Sequence, residues 1–412
     1  MAEVATRGLP PVSPGLPLPV ELVVWEILVR LPPKSLLRCR LVCRSWRRLT
    51  STLDFLLAHH RRQPSLPLIA ACKYDEFYLV DILTLDRRGA AARLDPVARY
   101  YSGADYVDSC CDGLLFLSWN TGPPQYSICN PTTRQYGDLP LISGFIFMGL
   151  YQHRPTGDHR ILLYRSEKMV FEDLIPGNYV YTLGSNDMPR RIGWAEVSKV
   201  GSRPVLLRGS LLHWYKSTEN MILVFDTTAE SFRWMRTPID KTTKNKLDRE
   251  DQEDLFEMDC TLGMYCCKYD MTIVNIWVLQ DYEQEVWSFK HQVELPVPDI
   301  RGKLDVGDFW NVEVFSEDGD DVVLVECGRW VLCIDTDGKL LASLQHDGID
   351  LLVTDMKLKQ SLVPHAFFPL LEGYVFKTHL SSDEVSWMEF FSSALLDAVK
   401  SSEIITFWSW LT

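Results

Sequence analysis

The chain has 412 residues, 46% hydrophobic and 24% charged, an ordinary globular composition that allows a sizeable core in one large or two ordinary domains. Its net charge of −13 is split: residues 1–62 hold 10 Lys and Arg against 4 Asp and Glu, leaving 32 against 51 for the remainder. A head of +6 on a body of −19 excludes a nucleic-acid binder acting through its whole surface, since most of that surface would repel phosphate. It fits a basic head that meets an acidic partner.

The 11 cysteines are scattered and form no C-x-x-C pair. The doublets Cys110–Cys111 and Cys266–Cys267 suit neither a disulfide framework nor a zinc site, so reduced thiols in a reducing compartment are expected. The first residues, MAEVATRGLPPVSPGLP, lack the apolar stretch of a secretory signal. No uninterrupted apolar run approaches the roughly 18 residues of a membrane span. A soluble intracellular protein of the cytoplasm, the nucleus or both is expected.

Residues 1–17 are rich in Pro and Gly and read as a flexible lead. From Pro19 to Leu31, apolar residues at Val20, Val23, Val24, Ile27, Leu28 and Leu31 put one wide stripe on a helix that Pro19 opens. Pro32 and Pro33 end it, because proline lacks a donor and disfavours helical geometry in its predecessor. Pro33 opens a second helix with Leu36, Leu37 and Leu41, and a third short one carries Val42, Cys43, Trp46 and Leu49. Helical spacing continues through Leu53, Phe55, Leu56 and Leu57 to His59–Arg62, and a boundary is expected near 64–67. The His59–His60 pair is expected to be cationic at the helix end. So small a unit cannot bury this much Leu, Val and Trp alone, which predicts a docking surface.

The run Leu18-Pro19, Glu21-Leu22, Ile27-Leu28, Arg30-Leu31-Pro32, Lys34 to Arg40 and Val42 to Arg47 resembles a plant-type F-box without a gap. The resemblance implies a subunit of an SCF ubiquitin ligase, docked on a Skp-type adaptor and through it on cullin and RING subunits. The docking residues it implies are Leu18, Pro19, Leu22, Ile27, Leu28, Leu31, Pro32, Leu36, Leu37, Val42, Cys43 and Trp46. A competing reading takes Arg30, Lys34, Arg38, Arg40, Arg44, Arg47 and Arg48 as the basic face of a DNA-binding helix-turn-helix. The apolar crowding by Leu36, Leu37, Val42, Cys43 and Trp46 argues against it, as does the tight Pro-Pro junction.

Past residue 67 the apolar period falls from 3.6 to 2, in short runs such as GLLFLSW, RILLYR, ILVFD and VVLVEC. Turn signals separate them, at Asp112-Gly113, Thr156-Gly157-Asp158, Asp318-Gly319 and Asp337-Gly338. Antiparallel all-β structure follows. Asn130, Asp226 and Asp281 each precede an aromatic by six residues (Tyr136, Phe232, Trp287), as a strand, an Asx-bonded turn and a returning strand would require. Asp81 and Asp335 read as ends of comparable strands. The spacings are 49 from Asp81 to Asn130, then 96, 55 and 54, with residues 178–192 filling the long gap. A period of about fifty residues predicts a propeller of about six blades over 67–345, closed by a strand from 361–377.

Cys111-Asp112-Gly113-Leu114-Leu115, Cys129 to Arg134, Ile276-Trp277-Val278-Leu279, Asp281-Tyr282 and Val286-Trp287 are similar to plant F-box-associated domains. That resemblance implies a target-binding body. The expected organisation is thus α+β multidomain: a flexible lead at 1–17, a three-helix F-box at 18–63, an all-β propeller-like domain at 67–378 and a short helical tail at 381–412.

Chemistry finds little support. None of the G-x-S-x-G, Walker A, H-E-x-x-H or G-x-G-x-x-G patterns occurs. His153 and His159 flank a turn and are expected on a solvated hairpin. The acidic run Asp248–Asp259 lacks the alternation and central Gly of a calcium loop, and reads as a charged loop between blades. No catalytic residue, metal or cofactor is expected; the partners are the adaptor and an unidentified protein substrate.

Overall fold

A computed structural model describes residues 19–73, 78–89, 91–102, 105–119, 125–166, 175–193, 203–207, 209–239, 251–258, 260–304, 309–317 and 319–376. The lead at 1–17, Leu18 and the tail at 381–412 lie outside these. The described residues divide into two compact units between Gln63 and Pro64.

The first unit is helical. α1 (Val20–Leu22) runs into a π-turn at Val23–Ile27 and a 3-10 turn at Leu28–Arg30, then come α2 (Pro33–Val42), α3 (Arg44–Thr50) and α4 (Leu53–Arg62). The expected regular first helix is therefore rewound halfway. The change of winding brings Val24, Leu28 and Val29 inward at 2% exposure or less and leaves Val20 and Leu22 outside. The Cys43 thiol caps α3, its sulfur 3.4 Å from the Trp46 N–H. The Arg40 guanidinium ties α2 to the end of α3, donating to the Thr50 hydroxyl at 3.1 Å and its carbonyl at 2.6 Å. His59 corrects the sequence reading. It is fully buried, its Nε2 lies 2.8 Å from the Leu31 carbonyl, and burial lowers its pKa, so the ring is a neutral cap for the first helix's end rather than a surface cation.

The second unit is a six-bladed propeller. Blade I holds β1 (Leu66–Lys73), β2 (Tyr78–Asp86) and β3 (Arg93–Ser102). Blade II holds β4 (Asp105–Cys111), β5 (Leu114–Trp119), β6 (Gln125–Asn130) and β7 (Gln135–Asp138). Blade III holds β8 (Ile146–Gln152), β9 (His159–Arg165), β10 (Gly177–Thr182) and β11 (Arg190–Gly193). Blade IV holds β12 (Val205–Leu207), β13 (Leu211–Lys216), β14 (Met221–Asp226) and β15 (Ser231–Arg236). Blade V holds β16 (Gln252–Met258), β17 (Thr261–Cys267), β18 (Ile273–Asp281) and β19 (Val286–Glu294). After a short helix, α5 (Val297–Arg301), blade VI holds β20 (Asn311–Glu317), β21 (Asp320–Cys327), β22 (Trp330–Ile334) and β23 (Leu340–Leu344).

Ring closure departs from expectation. β24 (Asp350–Leu358) returns to blade I as its innermost strand, antiparallel to β1, and lies beside both β20 and β4. The 361–377 segment instead forms a 3-10 turn and β25 (Glu372–Phe376), which adds a fifth strand on the outer edge of blade II. The last two strands of blades II, IV, V and VI turn as their sequence promised. Asn130, Asp226 and Asp281 each accept from two following N–H groups, at 2.8–3.2 Å, and Asp335 makes the same kind of cap. Asp81 is different. It sits within β2, buried against Arg99 at 2.5 Å and His346 at 3.2 Å, and Asp86 ends that strand.

These turns also fasten neighbouring blades. Glu230 of blade IV pairs with Arg160 at 2.9 Å and Arg190 at 2.7 Å of blade III, and Glu285 of blade V pairs with Arg233 and Arg236 of blade IV. In blade VI the same position is Gly338, at φ +78°, packed so closely that a Cβ would sit 2.3 Å from the Glu294 carbonyl oxygen of blade V. Cores lie between blades; buried Trp214, for instance, donates its indole N–H to the Met148 carbonyl of blade III.

Candidate functional site

The helical unit carries more apolar surface than it covers. Exposed side chains include Val20, Leu22, Trp25, Leu37, Leu41, Leu53 and Leu57, at 37–61%. Leu37 and Leu41 stand one turn apart on α2, and Leu53 and Leu57 one turn apart on α4, so each helix presents an apolar ridge. The Trp25 ring reaches the Phe55 ring of α4, centroids 5.6 Å apart. Of the residues expected to dock, Pro19, Leu22, Pro32, Leu37 and Cys43 are exposed, and Ile27, Leu31, Val42 and Trp46 are partly so. Leu28 and Leu36, at 2% and 0%, are consumed by the unit's own core and support the surface from beneath. Trp25, Leu53 and Leu57 are exposed as well and were not among the residues expected to dock, although the four-residue spacing of the two leucines was visible.

In the propeller, the inner strands β24, β4, β8, β12, β16 and β20 surround a cavity of about 390 Å³. Charged groups of both signs line it, among them Asp108, Arg203, Glu257, Asp355 and Lys357. Arg203 pairs with Asp355 at 3.0 Å. Two further acids stand nearby. Burial, then the charge of Asp355, pushes the Asp254 carboxyl up to about 7, against opposition from the Leu255 N–H and Arg203. Burial and the same carboxylates raise Glu313 well above the usual carboxylate range, while Tyr265 donates to its Oε2 at 3.2 Å. One guanidinium serves more acids than it can neutralise, so some keep their protons.

Asp254 lies in the acidic run read as a loop between blades. Gln252–Met258 is instead the inner strand of blade V, with Leu255, Phe256 and Met258 buried between acids. His153 and His159 are buried too, at 8% and 7%, not solvated; His153 bonds the Thr156 hydroxyl at 2.9 Å. Among the described residues, one trio places potential metal-ligand atoms within 4.8 Å of one another: Asp251, Glu253 and Cys266. Each has a protein partner, including Tyr215, which donates to Glu253 at 2.5 Å, and the Tyr269 N–H, which meets Asp251 at 3.0 Å. Among the described residues ten cysteines are free thiols, with Cys43 and Cys260 exposed. No described helix is long and apolar enough to cross a membrane.

The motif landmarks converge on one segment. Asp112 and Gly113 turn with φ of 50° and 81°, and a Cβ on Gly113 would meet the Ser361 Cβ at 2.6 Å. Asn130 donates to the Ser361 carbonyl at 3.2 Å. These turn residues thus hold the chain where it leaves β24. Residues 98–335 match the family described as F-box associated beta propeller domain, and residues 15–57 match the F-box domain.

The chain is a plant-type F-box protein with an F-box-associated propeller.

It is similar to the F-box protein CPR1 of Arabidopsis thaliana, 24% identical over 359 residues that span 78% of this chain and 83% of CPR1. The Arabidopsis F-box protein At5g49610 is 25% identical over 292 residues, 66% of this chain and 78% of the relative. Among solved structures, AztD of Citrobacter koseri aligns with 69% of this F-box protein and 89% of its own chain, at a TM-score of 0.36 and 12% identity. That likeness is too slight to carry an argument.

Proposed function

We propose that this F-box protein is the substrate-recognition subunit of an SCF-type ubiquitin ligase, working in the cytoplasm or nucleus. The observation that supports it is the apolar surface of the helical unit: two leucine ridges and an exposed tryptophan on a unit already holding its own core. A Skp-type adaptor covers that surface and links the chain to cullin and RING subunits, while the propeller holds a target protein. The chain supplies no bond-making group. Its contribution is proximity, which raises the effective concentration of target lysines near a ubiquitin-charged enzyme carried elsewhere in the complex.

The test is co-expression with a Skp-type adaptor. Leu37→Asp with Leu41→Asp changes only exposed side chains, so it should abolish adaptor co-purification while the propeller keeps its unfolding transition. Undiminished co-purification of that variant would remove the docking assignment.

A further inference from the structure

The propeller has two ends, and they differ in what they leave uncovered. At one end the Asx turns of blades IV and V carry acids already paired with arginines of the preceding blade. At the other end of blade V lie the turn between β17 and β18, the start of β16 and the segment leading into β20. Here Tyr269 is 61% exposed and Phe309 89% exposed. Folding gains almost nothing from a ring left in water. Trp310, next to Phe309, is fixed in place, its indole N–H donating to the Met271 carbonyl at 3.3 Å. Around Tyr269 carboxylates outnumber bases, with Asp251, Glu253 and Asp270 against exposed Lys268 of the same turn, while Arg301 and Lys303 lie further along, after β19. Asp251 and Glu253 stand at the start of β16, and the Tyr269 backbone itself is bonded to Asp251. Asp270 follows in the same turn, its carboxylate accepting from the Thr272 N–H at 3.2 Å and exposed to solvent.

We propose that this end of blades V and VI is where the target docks, and that the target presents a basic linear segment. The inference rests on the substrate-receptor reading and names its substrate class. Exposed aromatic faces attract lysine and arginine heads, and nearby carboxylates complement the same charge. The body's excess of acids steers such a segment toward it from a distance. Lys303 shows the pairing within the chain, its ammonium 3.9 Å from the centre of the Trp330 ring.

The experiment uses the full chain co-purified with a Skp-type adaptor, and the probe is a displayed library of random dodecapeptides. Selection should enrich lysine and arginine, and bound peptides should weaken as salt is raised. Phe309→Ala with Tyr269→Ala should lower their affinity about tenfold or more, since anchoring rings commonly carry at least that share. Asp251→Asn with Glu253→Gln should do likewise. Because both rings are exposed, the first pair leaves folding intact, which an unchanged melting curve verifies. Absence of any enriched peptide, enrichment without basic residues, or equal binding by the ring variant each overturns the proposal. Adaptor co-purification is scored on the same preparation. If the adaptor stays bound while the peptides fail, the docking face falls and the receptor reading stands. If the adaptor is lost while the peptides behave as expected, the receptor reading falls instead.

Discussion

Replacing Asp254 with asparagine isolates what it costs to keep a carboxyl in the propeller channel. In the folded chain its pKa is pushed up to about 7, first by burial and then by Asp355. In an unfolded chain aspartate titrates near ~3.9. Between these values the folded protein holds a proton that the unfolded chain has released. Stability therefore falls as pH rises from about 4 to about 7, and levels off above. A displacement of about three units corresponds to roughly 4 kcal/mol at ~1.4 kcal/mol per unit. Asp254 is only partly buried, and screening at such a site reduces the effect to about 2 kcal/mol. Asparagine keeps the oxygen that accepts the Leu255 N–H at 2.8 Å and carries no charge. Asp254→Asn should thus gain about 2 kcal/mol over the native chain near pH ~8 and nothing near pH ~4.5. Urea titrations followed by tryptophan fluorescence at the two pH values measure the difference. A gain that is missing at the higher pH, or equal at both, would refute the assignment of a neutral Asp254.

Two further outcomes follow from the packing. Gly338→Ala places a Cβ 2.3 Å from the Glu294 carbonyl oxygen at a left-handed φ, so it should destabilise the propeller by about 3 kcal/mol, seen as a lowered urea midpoint; an unchanged midpoint contradicts the close approach. Burial keeps His59 neutral, so below its ordinary pKa of ~6.5 the unfolded head takes up a proton that the folded head refuses, and head stability falls with acid. Adaptor capture should therefore weaken from neutral pH toward pH ~5.5 in the native chain and stay level in His59→Gln, which keeps a donor for the Leu31 carbonyl but cannot titrate.

The helical head was legible because its signals are local. Pro32 and Pro33 mark a break that neighbouring residues cannot override, and the leucine spacing of α2 and α4 survives folding. The turns after Asn130, Asp226, Asp281 and Asp335 were legible for the same reason, since a side chain bonding its own backbone needs no distant partner. What failed was long-range. DLLVTDMKL at 350–358 and the 361–377 segment both alternate plausibly, and only pairing with β1, nearly three hundred residues earlier, selects the first as the closing strand. The channel acids were hidden by a sound rule in the wrong place. Charged runs usually mark loops, but β16 is an inner propeller strand that keeps its acids beside the central cavity and the Arg203 guanidinium, with Leu255, Phe256 and Met258 buried among them. His59 was misread because burial by Phe55 and the first helix's end is a tertiary fact.

The size of the channel decides where a target can be held. A cavity of about 390 Å³ is at the small end of ligand pockets and has room for a side chain or two, not for a length of polypeptide. On the proposed receptor reading a protein target would therefore lie across an end of the propeller, with the channel able to receive at most a projecting group. At the Asx-turn end, Glu230 and Glu285 are already committed to arginines that hold adjacent blades together, so recruiting them for a partner would loosen the ring. At the opposite end, the Phe309 and Tyr269 rings are largely exposed, so a partner could cover them without displacing an ion pair. Binding there would gain apolar burial and leave the ion pairs of Glu230 and Glu285 intact. On that proposal a target would leave the ion pairs of Glu230 and Glu285 untouched, and the face it covers would be held by its own ties between blades, Tyr215 to Glu253 and Trp310 to Met271, so Phe309 and Tyr269 are the positions there that can change at least cost to the ring.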